Sequence, residues 1–408
     1  MRKRIVITGV GLTSPIGNSL SEHRVNLLEG KSGIKETDVR YMGMLPAGLC
    51  DFDEFKHQKK KARRRGTRAG SISIYCANEA LIDANIDINS IDKSNIGVFI
   101  GSTEHGNVET EEEIYQLHQN NLDTNLWSIH HNPRTVANSP AGEVTLNLGI
   151  TGPHFCVGSA CAGGNMGLIQ GVQQILLGEV EAAICGGISE SAQTFGIFAA
   201  FNSQGALGSH EDPAKACRPL STDRNGIAIS EGGCLFYIET LESALKRGAK
   251  IYGEVTGYAY NSDATDFVLP NTERQIECMN KAMNRAAKTN DQIDIISLHA
   301  TGTSAGDINE MNAVKSVFEG TNVSVNFTKG HIGHCMGAAG SLELAGNLLA
   351  FEDGLVHQGI NCTQIDPECD FAGLVLGSPK EKNIETILNN SFGMLGINST
   401  VIIEKYKE

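Results

Sequence analysis

Short β-branched runs alternate with longer helical patterns along the whole of this chain, and no other property narrows its possible folds so far. The alternation is the signature of parallel sheets covered by helices. Strands are expected over residues 4–10, 96–101, 182–185, 234–239, 251–257, 293–299, 323–326 and 400–405, several of them ending in Gly, Ser or Thr. Helices are expected over 19–28, 68–84, 163–177, 275–287, 308–318 and 339–351. In the third, Met166, Ile169, Val172, Gln173 and Leu176 keep helical spacing. At 408 residues the chain exceeds the usual size of one core, so two halves are expected. No Pro/Ser-rich linker divides them. That predicts a packed pair with a boundary near residue 250, an N-terminal half over 1–250 and a C-terminal half over 251–408. Ile5-Val6-Ile7-Thr8-Gly9 and Glu254-Val255-Thr256-Gly257 open the two halves alike.

Composition removes several function classes. Hydrophobic residues make 40% and charged residues 20%, with 46 Gly and 10 Pro, the balance of a soluble α/β protein. Eleven scattered cysteines, an odd number without a CxxC, point to reduced thiols and a cytoplasmic location. The opening Met1-Arg2-Lys3-Arg4 precedes an apolar run too short for a signal peptide, so it reads as the approach to a first buried strand. No stretch nears the ~20 apolar residues of a membrane span, so no membrane partner is expected. A net charge of −14 argues against a nucleic-acid partner. Gly9-Val10-Gly11 resembles the start of a dinucleotide fingerprint, but the third Gly is missing, Pro15 stands where a helix should begin and no acidic ribose partner follows.

Three segments carry chemistry. In Val157-Gly158-Ser159-Ala160-Cys161-Ala162-Gly163-Gly164, small residues open a helix with Cys161 at its N-terminus, where free amides and the helix dipole favour thiolate. Leu298-His299-Ala300-Thr301-Gly302-Thr303 delivers a histidine from a strand end into a Gly/Thr loop, with Thr301 and Thr303 able to line one wall and Asp307 following. Lys329-Gly330-His331-Ile332-Gly333-His334 leads through a Gly-rich turn into a helix containing Glu343. His331 and His334 invite a metal reading. No acidic ligands accompany them and Lys329 would repel a cation, so no metal is expected.

The order of Cys161, a His-x-Thr-x-Thr-x-x-Gly-Asp run at His299, and a Lys-x-x-x-Gly-His-x-x-Gly-Ala-Ala-Gly run at Lys329 resembles the elongating β-ketoacyl-[acyl-carrier-protein] synthases. Arg218-Pro219, Gly226, Glu231-Gly232-Gly233 and Asn390-Ser391-Phe392-Gly393 extend the likeness over the chain. The resemblance implies a thiolase-like α/β fold, two similar halves in an α/β/α/β/α layering, usually dimeric. It makes Cys161 the acyl-accepting nucleophile, with its own N–H and that of Met394 as oxyanion hole. His299 and His334 would act as hydrogen-bond donors to the malonyl thioester, supported by Lys329, Glu343 and Asp307. Thr301 and Thr303 would contact the phosphopantetheine arm, and Phe201, Phe392 and Met394 would border the substrate. No cofactor is implied beyond the arm of an acyl-carrier protein. The pathway, fatty-acid or polyketide, stays open, as does pairing with a second copy or with a chain-length-factor-like subunit.

Alternatives meet specific obstacles. A thiolase needs a second cysteine near the C-terminus, and residues 391–398 contain none. Priming synthases carry Asn where His334 stands, and a non-catalytic chain-length factor would lack the nucleophile. The family commonly has Phe and Gly at Met394 and Leu395, and Leu is not expected to take the backbone angles of that Gly. Eight basic residues, among them Lys60, Arg63 and Arg64, fall between Lys56 and Arg68 with no acid among them. That segment is the expected dock for an acidic carrier protein, with Lys60, Arg63 and Arg64 as its contacts.

Overall fold

Most of the runs rich in Val, Ile and Phe extend into strands that are buried on both faces. The computed structural model describes residues 3 to 407, so Met1 and Arg2 of the opening run lie outside it. In the first half the strands are β1 (Ile5–Thr13), β2 (Ile96–Ser102), β3 (His154–Gly158), β4 (Ala182–Ser189) and β5 (Gly232–Thr240). In the second they are β6 (Gly253–Ser262), β7 (Ile295–Leu298), β8 (Ser324–Phe327), β9 (Thr386–Gly393) and β10 (Ile397–Glu404). Among the described residues these pair in the order β8-β7-β9-β10-β6-β1-β5-β4-β2-β3. Read outward from the middle, both halves repeat one order. They join through two residue pairs, Val6–Glu254 and Ile7–Gly253.

The sheet is mixed, which corrects the parallel expectation. Only β7 with β8 and β9, and β2 with β3 and β4, run parallel. The inner strands are antiparallel, since β9 turns directly into β10 and β5 pairs with both β1 and β4 in opposite sense. Hydrophobic periodicity reports a strand but not its direction.

Five of the helices set the remaining layers. Helix α1 (Arg68–Asp83) covers the outside of β1 and β5, and α2 (Gly163–Leu177) packs on β2 and β4 from within. Helix α3 (Thr272–Ala286) covers β6 and β10, α4 (Ser304–Phe318) lies against α3, and α5 (Ala339–Leu348) meets α2 in the middle. The result is the thiolase-like α/β/α/β/α layering. One apolar cluster spans the central layer, where Leu168, Val172 and Ile175 meet Leu342, Leu344 and Leu348. Each such side chain contributes ~1.5–3 kcal/mol when removed from water. Outer clusters form around Ile72 and Val98 and around Met279 and Phe318. No helix among the described residues is long and apolar enough to cross a membrane.

At the start of α1, Thr67 accepts a hydrogen bond from the Gly70 N–H at 2.7 Å, and Arg68 turns inward. Its Nη2 and Nε meet the fully buried Glu231 carboxylate at 2.6 and 3.0 Å, which ties α1 to the residue just before β5. Arg68 is therefore a structural cation and not part of a free basic face. Replacing Glu231 with Ala should lower unfolding stability by ~1.5–3 kcal/mol in denaturant titration, because it removes two charge-assisted bonds from Arg68 and leaves Glu54 as its carboxylate partner. A loss under about 1 kcal/mol would show that solvent screens the pair.

Candidate active site

The turn that carries Cys161 is strained. After β3 the chain makes a 3₁₀ turn over Ala160–Ala162 before α2 begins, and Ala160 is held at φ +46°. Side chains rarely occupy that left-handed region. The turn is fixed from the other half of the molecule by the Ser391 hydroxyl, which donates to the Cys161 carbonyl at 2.9 Å. The Cys161 sulfur ends 3.2 Å from Nε2 of His334, and the residue as a whole is 7% exposed. His334 is held in turn by its backbone, whose N–H donates to the Ala228 carbonyl at 2.7 Å.

His299 follows β7 on an equally constrained loop. Its N–H and that of Ala300 donate to the two oxygens of Glu310 at 2.8 and 2.7 Å. Asp307, also fully buried, accepts from the Gly302 and Leu220 amides at 3.0 and 2.8 Å and so shapes the loop without reaching the substrate space. Lys329 pairs with Glu343, bonds the His299 carbonyl and stands 3.2 Å from Nδ1 of the His299 ring. An ammonium has no lone pair to offer. Nδ1 must therefore accept, and the ring proton sits on Nε2. The His299 and His334 rings meet edge to face at 5.3 Å, and Phe392 lies 6.1 Å from His299.

Burial decides the charge state of this group. It pushes both histidines well below their ordinary value, and Lys329 adds to the effect, so both rings are neutral at pH 7. It pushes the Cys161 thiol up to about 12, against the pull of Lys329 and of the Met394 and Cys161 amides. This corrects the expectation of a thiolate favoured by the helix start, because loss of water outweighs the dipole. Cys161 sulfur and one nitrogen of each histidine lie within 4.8 Å of one another, a trio that could ligate a soft metal. The Lys329 ammonium bonded to the His299 ring works against a cation there.

A cavity of about 450 Å³ opens onto the three side chains. Thr301 and Thr303 form one wall, their hydroxyls 2.9 Å apart, and Phe201, Phe392 and Met394 form the apolar side. Beside Met394, Leu395 is held at φ +61°, ψ +20° and its N–H donates to the Phe267 carbonyl at 2.8 Å. Leucine does take this glycine-like conformation, contrary to expectation, at a strain of ~1–2 kcal/mol. His331 is not part of the site, since its ring nitrogens face the Lys31 and Gln358 carbonyls at 2.9 Å. The basic segment also lies away from this cavity, beside a groove of about 610 Å³. Within that segment Arg63 is bonded to Glu54 at 2.5 Å and Lys56 to Glu79 at 2.6 Å, whereas Lys60 and Arg64 are exposed. Glu310 and Ser391 were not singled out from the sequence. Glu310 falls one helical turn after Asp307, a buried polar spacing that could have revealed it.

A buried cysteine against one histidine, with a second histidine held by a lysine, on a duplicated five-layer fold, defines a condensing-enzyme architecture. The chain belongs to the β-ketoacyl synthase family: residues 2–244 match its N-terminal domain and residues 252–363 its C-terminal domain. It is 32% identical over 420 residues to the 3-oxoacyl-[acyl-carrier-protein] synthase 2 of Synechocystis, covering 100% of this chain and 99% of that protein. It is 33% identical over 413 residues to the synthase of the same name from Staphylococcus aureus, covering 99% of each. Among solved structures, the ishigamide ketosynthase/chain length factor superimposes with a TM-score of 0.92 at 29% identity, covering 100% of both chains. A type II polyketide ketosynthase in complex with its acyl-carrier protein and bound to the hexaketide gives 0.91 at 25% identity, again over 100% of both chains. The protein is thus an acyltransferase-class condensing enzyme, a β-ketoacyl-[acyl-carrier-protein] synthase.

The high Cys161 value sets a test. Alkylation of Cys161 by iodoacetamide, followed by site-resolved mass analysis, should accelerate about tenfold per pH unit from 7 to 9, since the thiolate is the reactive form. A plateau near neutrality would show a stabilised thiolate.

Proposed function

We propose that Cys161 holds the growing acyl chain and that His299 and His334 serve the decarboxylative condensation. The observation that carries this reading is the 3.2 Å contact of the Cys161 sulfur with His334 beside a His299 whose proton is fixed on Nε2. In the first step the sulfur attacks the acyl thioester and its proton passes to the departing phosphopantetheine sulfur, while His334 keeps its proton on Nε2 as a hydrogen-bond donor. Developing charge on the carbonyl oxygen meets the Met394 and Cys161 amides. In the second step the arm of malonyl-carrier protein lies along Thr301 and Thr303 with its thioester oxygen at the two histidines. The bond to CO₂ breaks, its electron pair becomes the enolate, and the enolate carbon attacks the acyl carbonyl and displaces the Cys161 sulfur. Lys329, Glu343 and Asp307 position these groups without touching substrate. Because carbon dioxide leaves with no electron change, the reaction calls for no redox partner.

Carrier-protein docking is assigned to the basic segment, with Lys60 and Arg64 as its free contacts and Arg63 as a support through Glu54. The working form is a dimer, with a second copy or a homologous synthase-like subunit. The paired name of the ishigamide neighbour supports the latter.

Two outcomes test these roles. Changing His299 or His334 to Ala should slow malonyl-thioester decarboxylation by ~10²–10³-fold, the usual loss for one oxyanion donor, while Cys161→Ala abolishes the acyl adduct seen by intact mass. Wild-type decarboxylation in both histidine variants would remove them from the mechanism. Reversing charge at Lys60 and Arg64 together should raise the KM for carrier protein by about tenfold or more at low salt yet spare a small pantetheine thioester. Equal losses on both substrates would mean that the segment supports the fold.

A further inference from the structure

Glu111 is a carboxylate for which the mechanism above has no task, and it does not line the substrate cavity. It stands on the helix Asn107–Gln119, which follows β2. Its Oε2 accepts from the Phe195 N–H at 2.8 Å and its Oε1 from the Gly196 N–H at 2.9 Å, the first two amides of the helix Phe195–Ser203. That helix has no side-chain cap of its own, because the Thr194 hydroxyl at its start donates back to the Ser191 carbonyl at 2.9 Å. Glu111 takes the place of the missing cap and meets the positive end of the helix dipole. Because Phe195 and Gly196 lie 84 and 85 positions away in sequence, the cap is also a tie between distant elements.

The helix held in this way is one wall of the site. Phe198 is its fully buried residue and shares an apolar cluster with Cys161, Ile229 and Met336. Phe201 follows three positions later, hence on the same face, and lines the cavity. The rest of the helix is half-buried or exposed, so few contacts of its own fix where the two rings stand. The helix that carries Glu111 is anchored on both sides of it, since Glu109 accepts from the Arg68 N–H at 2.8 Å and Glu113 from the Ser128 N–H at 3.0 Å. Glu111 passes that anchorage on to the wall. With the wall held, a long acyl chain on Cys161 must displace the two phenyl rings, and a short one need not. We propose that Glu111 is a positioning residue that sets the acyl-length preference of Cys161 by holding Phe198 and Phe201 in place. The proposal rests on the reading of Cys161 as the acyl carrier.

The test measures loading of Cys161 from octanoyl- and hexadecanoyl-pantetheine, followed as acyl-enzyme by intact mass, beside decarboxylation of malonyl-pantetheine by the same protein. In Glu111→Ala the octanoyl-to-hexadecanoyl ratio of kcat/KM should fall about tenfold, while decarboxylation, which does not use this wall, stays within about twofold of wild type. Glu111→Gln, which keeps an acceptor but loses the charge, should lower the ratio about threefold, and it decides the matter by the same ratio if Glu111→Ala does not fold. Phe201→Ala should lower the ratio as well, and adding Glu111→Ala to it should change the ratio by less than about twofold, because the two act through one wall. An unchanged or raised ratio, a loss of decarboxylation equal to the loss of acylation, or full additivity with Phe201→Ala overturns the proposal while leaving the synthase reading intact. No adduct on Cys161 of the wild type from either acyl thioester would remove both.

Discussion

The start of α2 and the turn before α5 touch backbone to backbone at the middle of the molecule, and the site exists because nothing stands between them. A Cβ on Gly163 would meet the Gly337 carbonyl oxygen at 2.8 Å, one on Gly187 would meet the same oxygen at 2.2 Å, and one on Gly164 would meet the Ser341 nitrogen at 2.3 Å. Real side chains do not tolerate such distances, so these positions require glycine. The contact joins a turn from the first half to a turn from the second. It is what lets Cys161 and His334, 173 residues apart, come within hydrogen-bond distance.

Around that joint the polar groups act as a framework for orientation more than as a source of stability. Lys329 and Glu343 are both fully buried, and an ion pair taken that far from water gains little over apolar packing. Its effect is positional. Glu343 fixes the ammonium, the ammonium fixes the His299 tautomer, and Glu310 fixes the backbone from which that ring projects. Removing any member would leave a buried donor or acceptor unmatched, which is why the loop holds one geometry.

Much of this was legible in the sequence because the informative signals are local. Strand, turn and helix starts at Cys161, His299 and Lys329 follow one another within ten residues each, and the helix expected over 163–177 is the one observed. Strand β9 escaped the strand reading because its middle is Asn389-Asn390-Ser391, which reads as a loop. Those side chains are buried and hydrogen-bonded to Asn165, Thr400 and the Cys161 carbonyl, partners that lie in distant parts of the chain. The pairing of part of the basic segment was hidden for a similar reason. No acid stands within it, but Glu54 and Glu79 on either side and Glu231 far along the chain fold back onto Arg63, Lys56 and Arg68.

The direction of the ionisation shifts explains how such a site can rest inertly and still react. Burial keeps the thiol protonated and both imidazoles neutral, so the nucleophile and its two partners are uncharged before substrate arrives. On the proposed mechanism charge appears only when the substrate brings a carbonyl to accept it, first as a tetrahedral oxyanion and then as an enolate. On that mechanism the donors for both are two backbone amides and two ring N–H groups, held in place beforehand, so little reorganisation accompanies the reaction. In water the same groups would be hydrated and weaker. The low polarity that makes Cys161 a poor thiolate thus strengthens every hydrogen bond made to the transition state.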